Sequence, residues 1–206
     1  MATVEQGPAS NGLKDRIKNI LFTPAAEWDR IDGESATVQG LYSGYACILA
    51  AIGPIAALIG GQLFGYAGIF FHRPPLIGAV VGAIVSYVLS LVGVYVLALI
   101  IDALAPNFGG TKNRIQAFKV AVYSWTAAWI AGIFALFPPV SALNIIGVFS
   151  LYLLYLGLPK LMKAPQDKAL AYTAVTVVVA IVIWVCIAAV AGSIAGAALF
   201  STGGVI

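Results

Sequence analysis

Asp102 is the one acidic residue inside an apolar run of this chain, and an ionisable group so placed reads first as a proton relay or ion ligand. Tyr123, Ser124 and Trp125 open another apolar run, with Trp129 one turn later, and Asn144 sits in a third. Converging on a cavity, Asp102, Tyr123, Ser124, Trp125 and Asn144 would make a polar site for a small solute, proton or ion. A plainer reading pairs Asp102 with Lys112, Arg114 or Lys119, or has it cap the turn at 105–107. Trp125 and Trp129, at i and i+4, equally suit helix packing or an interfacial aromatic belt. His72 and Arg73 sit in a short proline-rich connection with no nucleophile–base pair around them. Cys47 and Cys186 lie in apolar runs without a Cys-x-x-Cys or Cys/His cluster, so a tetrahedral metal site lacks ligands and both read as small buried hydrophobes. Residues 108–112, FGGTK, lack the spacing of a phosphate-cradling loop. No catalytic residue, cofactor or metal is expected.

The elements that must position these residues are membrane helices. The 206 residues are 61% hydrophobic and only 9% charged, against about 25% charged in soluble domains. Such a chain cannot cover a water-facing surface with polar groups. Five apolar segments, at about 41–66, 76–105, 115–137, 141–158 and 169–200, are compared with the roughly 20 helical residues that a bilayer core requires. Four are comfortably long and the fourth just suffices. Period-two alternation is absent, which excludes a barrel. The fold class is therefore an all-α membrane protein, a five-helix bundle over 41–200. Residues 1–10 read as a disordered start and 201–206 as an outer tail. No apolar stretch follows a basic one in the first thirty residues, so a cleaved signal peptide is not expected.

Residues 11–40 form a leader. Leu13, Ile17, Ile20 and Leu21 share one helical face, and Thr23-Pro24 signals a second helix start. That second helix sets Trp28 and Ile31 against Glu27, Asp29 and Arg30. The apolar face suits either the membrane interface or the underside of the bundle. Pro54 should break the first membrane helix, because it lacks an N–H. Gly40/Gly44, Gly61/Gly65, Gly78/Gly82 and Gly192/Gly196 are spaced for close helix approach.

Ten of the eleven basic residues fall in the leader, at 112–119 and at 160–168, which five spans place on one side. The excess of Lys and Arg marks that side as cytoplasmic, so the N-terminus is expected inside and the C-terminus outside. Lys112, Arg114, Lys160, Lys163 and Lys168, with Trp28, form a rim suited to anionic lipid headgroups or a protein partner. No basic stripe or motif suggests nucleic acid.

Four stretches carry a family resemblance: KNILFTPAAEWDRID at 18–32, GLYSGYACILAAIGPIAALIGG at 40–61, LIIDALAPNFGGTKNRIQAFKVAVYSWTAAWIAGIF at 99–134 and LYLLYLGLPKLMKAPQDKALAYT at 151–173. From about residue 12 the chain resembles the Yip family, multi-pass membrane proteins named for interaction with Ypt/Rab GTPases, and within it the short bacterial branch. The resemblance implies five helices, a cytoplasmic N-terminus and residence in a bacterial inner membrane. Relatives often carry a proline after the Tyr-Ser of helix three. Here Trp125–Trp129 stands instead, so a kink there is not carried over. The long N-terminal region of eukaryotic members has no counterpart, and neither is their Rab-binding role carried over. The expected function is a non-enzymatic, membrane-organising or partner-binding scaffold, in contact with lipids and with itself or another membrane protein. The alternative is a transporter or channel built on Asp102, the Pro54 break and the polar face of helix three.

Overall fold

The structure is a computed structural model that describes residues 12–65 and 75–202. His72, Arg73, the N-terminal 1–10 stretch and all but the first two residues of the 201–206 tail lie outside the described residues.

Helices α1 (Leu13–Phe22) and α2 (Pro24–Gly33) form the leader. Pro24 opens α2 as its fixed φ favours. The Thr23 hydroxyl, though, donates back to the Asn19 carbonyl at 3.1 Å and so closes α1. Ile20, Trp28 and Ile31 are fully buried. Of the two placements open to this amphipathic leader, the structure takes packing against the bundle.

Five helical runs are long and apolar enough to cross a membrane: Val38–Phe64, Leu76–Phe108, Arg114–Leu136, Pro139–Leu161 and Gln166–Ile183. No strand occurs among the described residues. The protein is thus an all-α bundle with five membrane-spanning helices. The third run is its axis, with 56% of its apolar window buried against 17–28% in the others. Large apolar side chains elsewhere, such as Ile77, Ile84, Ile145 and Val178, face outward, as lipid-facing positions should. Cys186 is also exposed and Cys47 is half-buried. This corrects the expectation of buried thiols: facing lipid, a small hydrophobe needs no protein cover.

The first run is discontinuous. It begins as α3 (Val38–Leu41), capped by the Thr37 hydroxyl accepting from the Gly40 N–H at 3.0 Å. It widens into a π-helical turn at Tyr42–Ala46, resumes as α4 (Cys47–Ala50), pauses at Ala51 and continues as α5 (Ile52–Phe64). The pause falls where Pro54 has no N–H for the Ala50 carbonyl. Hydroxyls of the next run help to satisfy the broken backbone, since lipid offers no substitute. The Tyr87 hydroxyl donates to the Cys47 carbonyl at 3.2 Å, and Tyr42 donates in return to the Leu91 carbonyl at 3.0 Å.

The second run is α6 (Leu76–Leu104), closed by a 3₁₀ turn at Ala105–Phe108 and a left-handed Gly109. Asn113 caps α7 (Arg114–Ser124) by accepting from the Gln116 N–H at 3.1 Å. The third helix then breaks at Trp125 without a proline. The Thr126 hydroxyl donates to the Tyr123 carbonyl at 2.7 Å, and α8 (Thr126–Ala131) follows. The fourth run opens as eleven 3₁₀ residues, Pro138–Val148, before α9 (Phe149–Leu161). A 3₁₀ residue rises about 2.0 Å against about 1.5 Å in an α-helix, which lengthens the shortest apolar segment. Helix α9 continues through Pro159, and Lys163, at φ 55°, turns the chain towards α10 (Gln166–Thr202).

Close approaches use glycines other than those the spacing pattern marks. A Cβ on Gly132 would lie 2.8 Å from the Gly53 Cα, and one on Gly60 would strike the Ala135 and Leu136 carbonyls. Gly44, Gly78 and Gly82 face open space. Gly60→Ala is therefore expected to cost about 1–3 kcal/mol through overpacking. Gly82→Ala should stabilise by up to about 1 kcal/mol through helix propensity. Unfolding midpoints of the two variants in one detergent compare them directly.

Candidate functional site

The polar side chains of this bundle concentrate where the leader meets it. Gly157 on α9 leaves room for Trp28: a Cβ there would lie 2.8 Å from the indole Cζ2. The indole meets the Tyr123 ring edge-on, with centroids 6.4 Å apart. Beside it Arg16, only 5% exposed, donates to Glu27 Oε1 at 2.6 Å and through its other terminal nitrogen to Glu34. The guanidinium carbon also sits 5.4 Å from the Tyr123 ring centroid. Burial works against the Arg16 charge, but the Glu34 hydrogen bond and the carboxylates of Glu34 and Glu27 outweigh it, leaving its pKa above the ordinary value.

Lys119, 2% exposed, donates to the Ile31 carbonyl at 2.8 Å and the Glu34 carbonyl at 2.5 Å. It thereby caps the C-terminal end of α2, where a cation suits the helix dipole. Gln116 donates to the Asp32 carbonyl at 3.0 Å and to Asp32 Oδ1 at 3.1 Å. On the far flank Lys160 bonds Asp29 Oδ1 at 2.5 Å and the Ala25 carbonyl at 2.8 Å, and Lys163 bonds Asp32 Oδ2 at 2.5 Å.

Between α1, the 34–37 connection, the start of the first run and α7 lies an open cleft of about 570 Å³. Arg16, Glu34, Thr37 and Lys119 line its polar part, Leu41, Tyr45 and Tyr123 its aromatic and apolar part, and Gly40 and Gly44 add to its wall. The Tyr45 hydroxyl lies 2.8 Å from Thr126 Oγ1. As Thr126 spends its one proton on the Tyr123 carbonyl, Tyr45 is the donor. Among the described residues no three of His, Cys, Asp or Glu gather to hold a metal ion.

Residues 18–202 match the family model for the Yip1 domain. The chain belongs to the Yip1 domain family. It is also similar to the inner membrane protein YohC of Escherichia coli K12, at 26% identity over 174 residues that cover 81% of this chain and 89% of YohC. YohC of E. coli O6:H1 (strain CFT073) gives the same figures. No solved structure matches. A Yip1 domain with five spanning helices and an inner-membrane relative is an integral membrane protein suited to the bacterial inner membrane.

Within this Yip1 domain the residues singled out from sequence disperse. Tyr123 lines the cleft, Ser124 is buried behind it, Trp125 is half-buried at the helix break, and Asn144 is exposed on the 3₁₀ stretch of the fourth run. Neither Asp102 nor Asn144 lines the cleft, so this cleft does not gather the five residues together. Asp102 also lacks its expected cations. It joins none of the ion pairs among the described residues, and its Oδ1 is buried without a hydrogen-bond partner. Lys119 turns to the leader instead and Arg114 donates to the Tyr95 hydroxyl at 2.9 Å. Trp129 is core packing, its indole N–H donating to Ser90 Oγ at 3.3 Å.

The basic rim divides as well. Lys160 and Lys163 pair with leader carboxylates, Lys163 while staying exposed, and Trp28 is sealed beneath the leader away from any headgroup. Lys112, Arg114 and Lys168 are exposed. Arg16, Glu27, Glu34 and Lys119 escaped attention in the sequence, although each carried a signal. Arg16 precedes Ile20 by four residues, as Glu27 precedes Ile31, so both flank the buried face. Lys119 stands between Phe118 and Val120 in an apolar run.

Proposed function

We propose that this Yip1-domain protein is a non-enzymatic scaffold of the inner membrane, organising the membrane or binding a partner, with the leader on the cytoplasmic side. One observation carries the reading: its buried charged groups are spent on seating the leader against the bundle rather than on surrounding a reaction centre. Arg16 ties Glu27 and Glu34 together within the leader and lies over Tyr123 of the bundle, and Lys119 of the bundle holds the Ile31 and Glu34 carbonyls. A seated leader presents a fixed surface at the membrane boundary, with Lys112, Arg114 and Lys168 around it. The Lys and Arg bias supports the cytoplasmic placement.

Native nanodisc extraction followed by mass spectrometry is expected to recover a defined oligomer or a stoichiometric membrane-protein partner. Recovery of monomer alone, from cells of several growth states, would count against the scaffold. Sidedness has its own check. In a background lacking Cys47 and Cys186, a Lys112→Cys variant is expected to react with an impermeant maleimide in inverted vesicles and not in intact spheroplasts.

A transport reading draws on the orphaned Oδ1 of Asp102, since a buried unpaired carboxylate oxygen is costly to keep without a use. Ion or proton flux in proteoliposomes that disappears in Asp102→Asn would establish it in place of the scaffold.

A further inference from the structure

The charges at the leader junction do not balance. Arg16, Arg30, Lys119, Lys160 and Lys163 face only Glu27, Asp29, Asp32 and Glu34, and the ion pairs leave the surplus at one place. Arg16 takes Glu27 and Glu34, with Arg30 at the edge of Glu27, while Lys160 takes Asp29 and Lys163 takes Asp32. Lys119 belongs to none of these pairs. Its hydrogen-bond acceptors are two backbone carbonyls, which carry no net charge, and its ammonium has a third proton to give. The Glu34 and Asp32 carboxylates act on it from a distance, but each already faces another cation, so a charge only 2% exposed here is expensive unless a further anion completes it. Lys119 borders the open cleft of about 570 Å³, within the range that holds small ligands.

The rest of the cleft says what kind of anion fits. Arg16 lines the same cleft and keeps N–H donors beyond the two given to Glu27 and Glu34. Leu41, Tyr45 and Tyr123 make part of the lining apolar and aromatic. Gly40 and Gly44, one helical turn apart, expose bare backbone, and a Cβ on Gly44 would meet nothing within 4 Å. Of the glycine pair that looked like a helix-packing motif, Gly44 is left open to an occupant, while a Cβ on Gly40 would press on the Thr37 hydroxyl at 3.1 Å. The cleft lies at the start of the first membrane run, where leader and bilayer boundary meet.

We propose that this cleft binds the headgroup of an anionic phospholipid. Its phosphate sits on Lys119 and Arg16, and its glycerol end lies along Gly40 and Gly44. A phosphate diester supplies the missing single negative charge, and arginine with lysine is a donor set suited to it. The lipid comes from the surrounding leaflet, because Gly40, Leu41, Gly44 and Tyr45 of the cleft wall belong to the first residues of a membrane-spanning run. This site goes beyond the scaffold reading and holds whether or not a protein partner exists.

The test uses the full chain in detergent, titrated separately with phosphatidylglycerol and phosphatidylcholine and read by native mass spectrometry. Wild type is expected to retain one phosphatidylglycerol under conditions that strip phosphatidylcholine. Gly44→Leu fills the open space at that glycine without touching an ion pair. It should keep the lipid-free melting midpoint and lose phosphatidylglycerol by about tenfold or more, the scale of a charge-assisted contact. Lys119→Gln keeps a donor but not the charge, and should abolish the preference for the anionic lipid. Equal retention of both lipids by wild type overturns the proposal, as does unchanged phosphatidylglycerol retention in folded Gly44→Leu. Displacement of the lipid by millimolar inorganic phosphate also overturns it, assigning the cleft to a soluble phosphate.

Discussion

Trp28→Ala is expected to release the leader from the bundle and to lower stability by about 3–5 kcal/mol. The indole is fully buried, stacked into the notch left by Gly157 and edge-on to Tyr123. Helices within the bilayer gain little from burial, because lipid tails are as apolar as their partners. The leader is different: it lies outside the candidate spans, so its apolar face leaves water when it docks and gains about 25 cal/mol per Å². The indole N–H has no partner, which offsets part of the gain and leaves ring packing as the main attraction. Limited proteolysis in detergent should cut Trp28→Ala within the leader at protease levels that wild type resists. Resistance equal to wild type would mean that the ion pairs alone seat the leader. Gly157→Leu, which fills the same notch from α9, should open it in the same way.

Arg16→Met should cost a similar about 3–5 kcal/mol, because it strands Glu27 as a buried charge. Glu27 is 3% exposed, and its remaining cation, Arg30, stands 3.8 Å away and is half exposed itself. If the loss comes from the stranded carboxylate, Arg16→Met/Glu27→Met restores most of the stability, since a buried pair replaced by packed apolar groups is often neutral. If it comes from lost packing against Tyr123, the double variant stays as weak as the single one. Denaturation midpoints of wild type, both single variants and the double variant separate the two cases. The pH dependence has a definite sign. The folded pKa of Arg16 lies above its unfolded value, so its contribution is fully present below the unfolded value and is lost only as pH rises through the folded one. Alkaline conditions up to the ordinary guanidinium range should therefore leave the Arg16 contribution intact.

Much of the architecture follows from local chemistry. Hydropathy and length settle five spanning helices, and the missing N–H of Pro54 places the break in the first. The 3.6-residue period gives the leader its buried face at Ile20, Trp28 and Ile31. These are one-body properties: each residue's preference for lipid or water, and each backbone group's need for a partner, can be read along the chain. Even the family resemblance adds no contact to them. The break at Trp125 is a case between. It arises without proline, from the Thr126 hydroxyl and the Tyr123 carbonyl, groups visible in sequence but not compelled by it.

Which charges meet is another matter. Lys119 and Ile31 are 88 positions apart, and Lys160 and Asp29 are 131 apart. By itself a lysine in a basic cluster is equally ready for a headgroup, a carboxylate or a helix end. Only the packing of α2 between α7 and α9 decides that Lys160 and Lys163 pair with leader carboxylates, that Trp28 is sealed and that Lys119 is buried beside an open cleft. The sequence by itself determined a five-helix membrane protein with its cations gathered at one end. The tertiary structure decided which of those cations remain for a ligand, because charge pairing is a two-body property set by where distant segments come to rest.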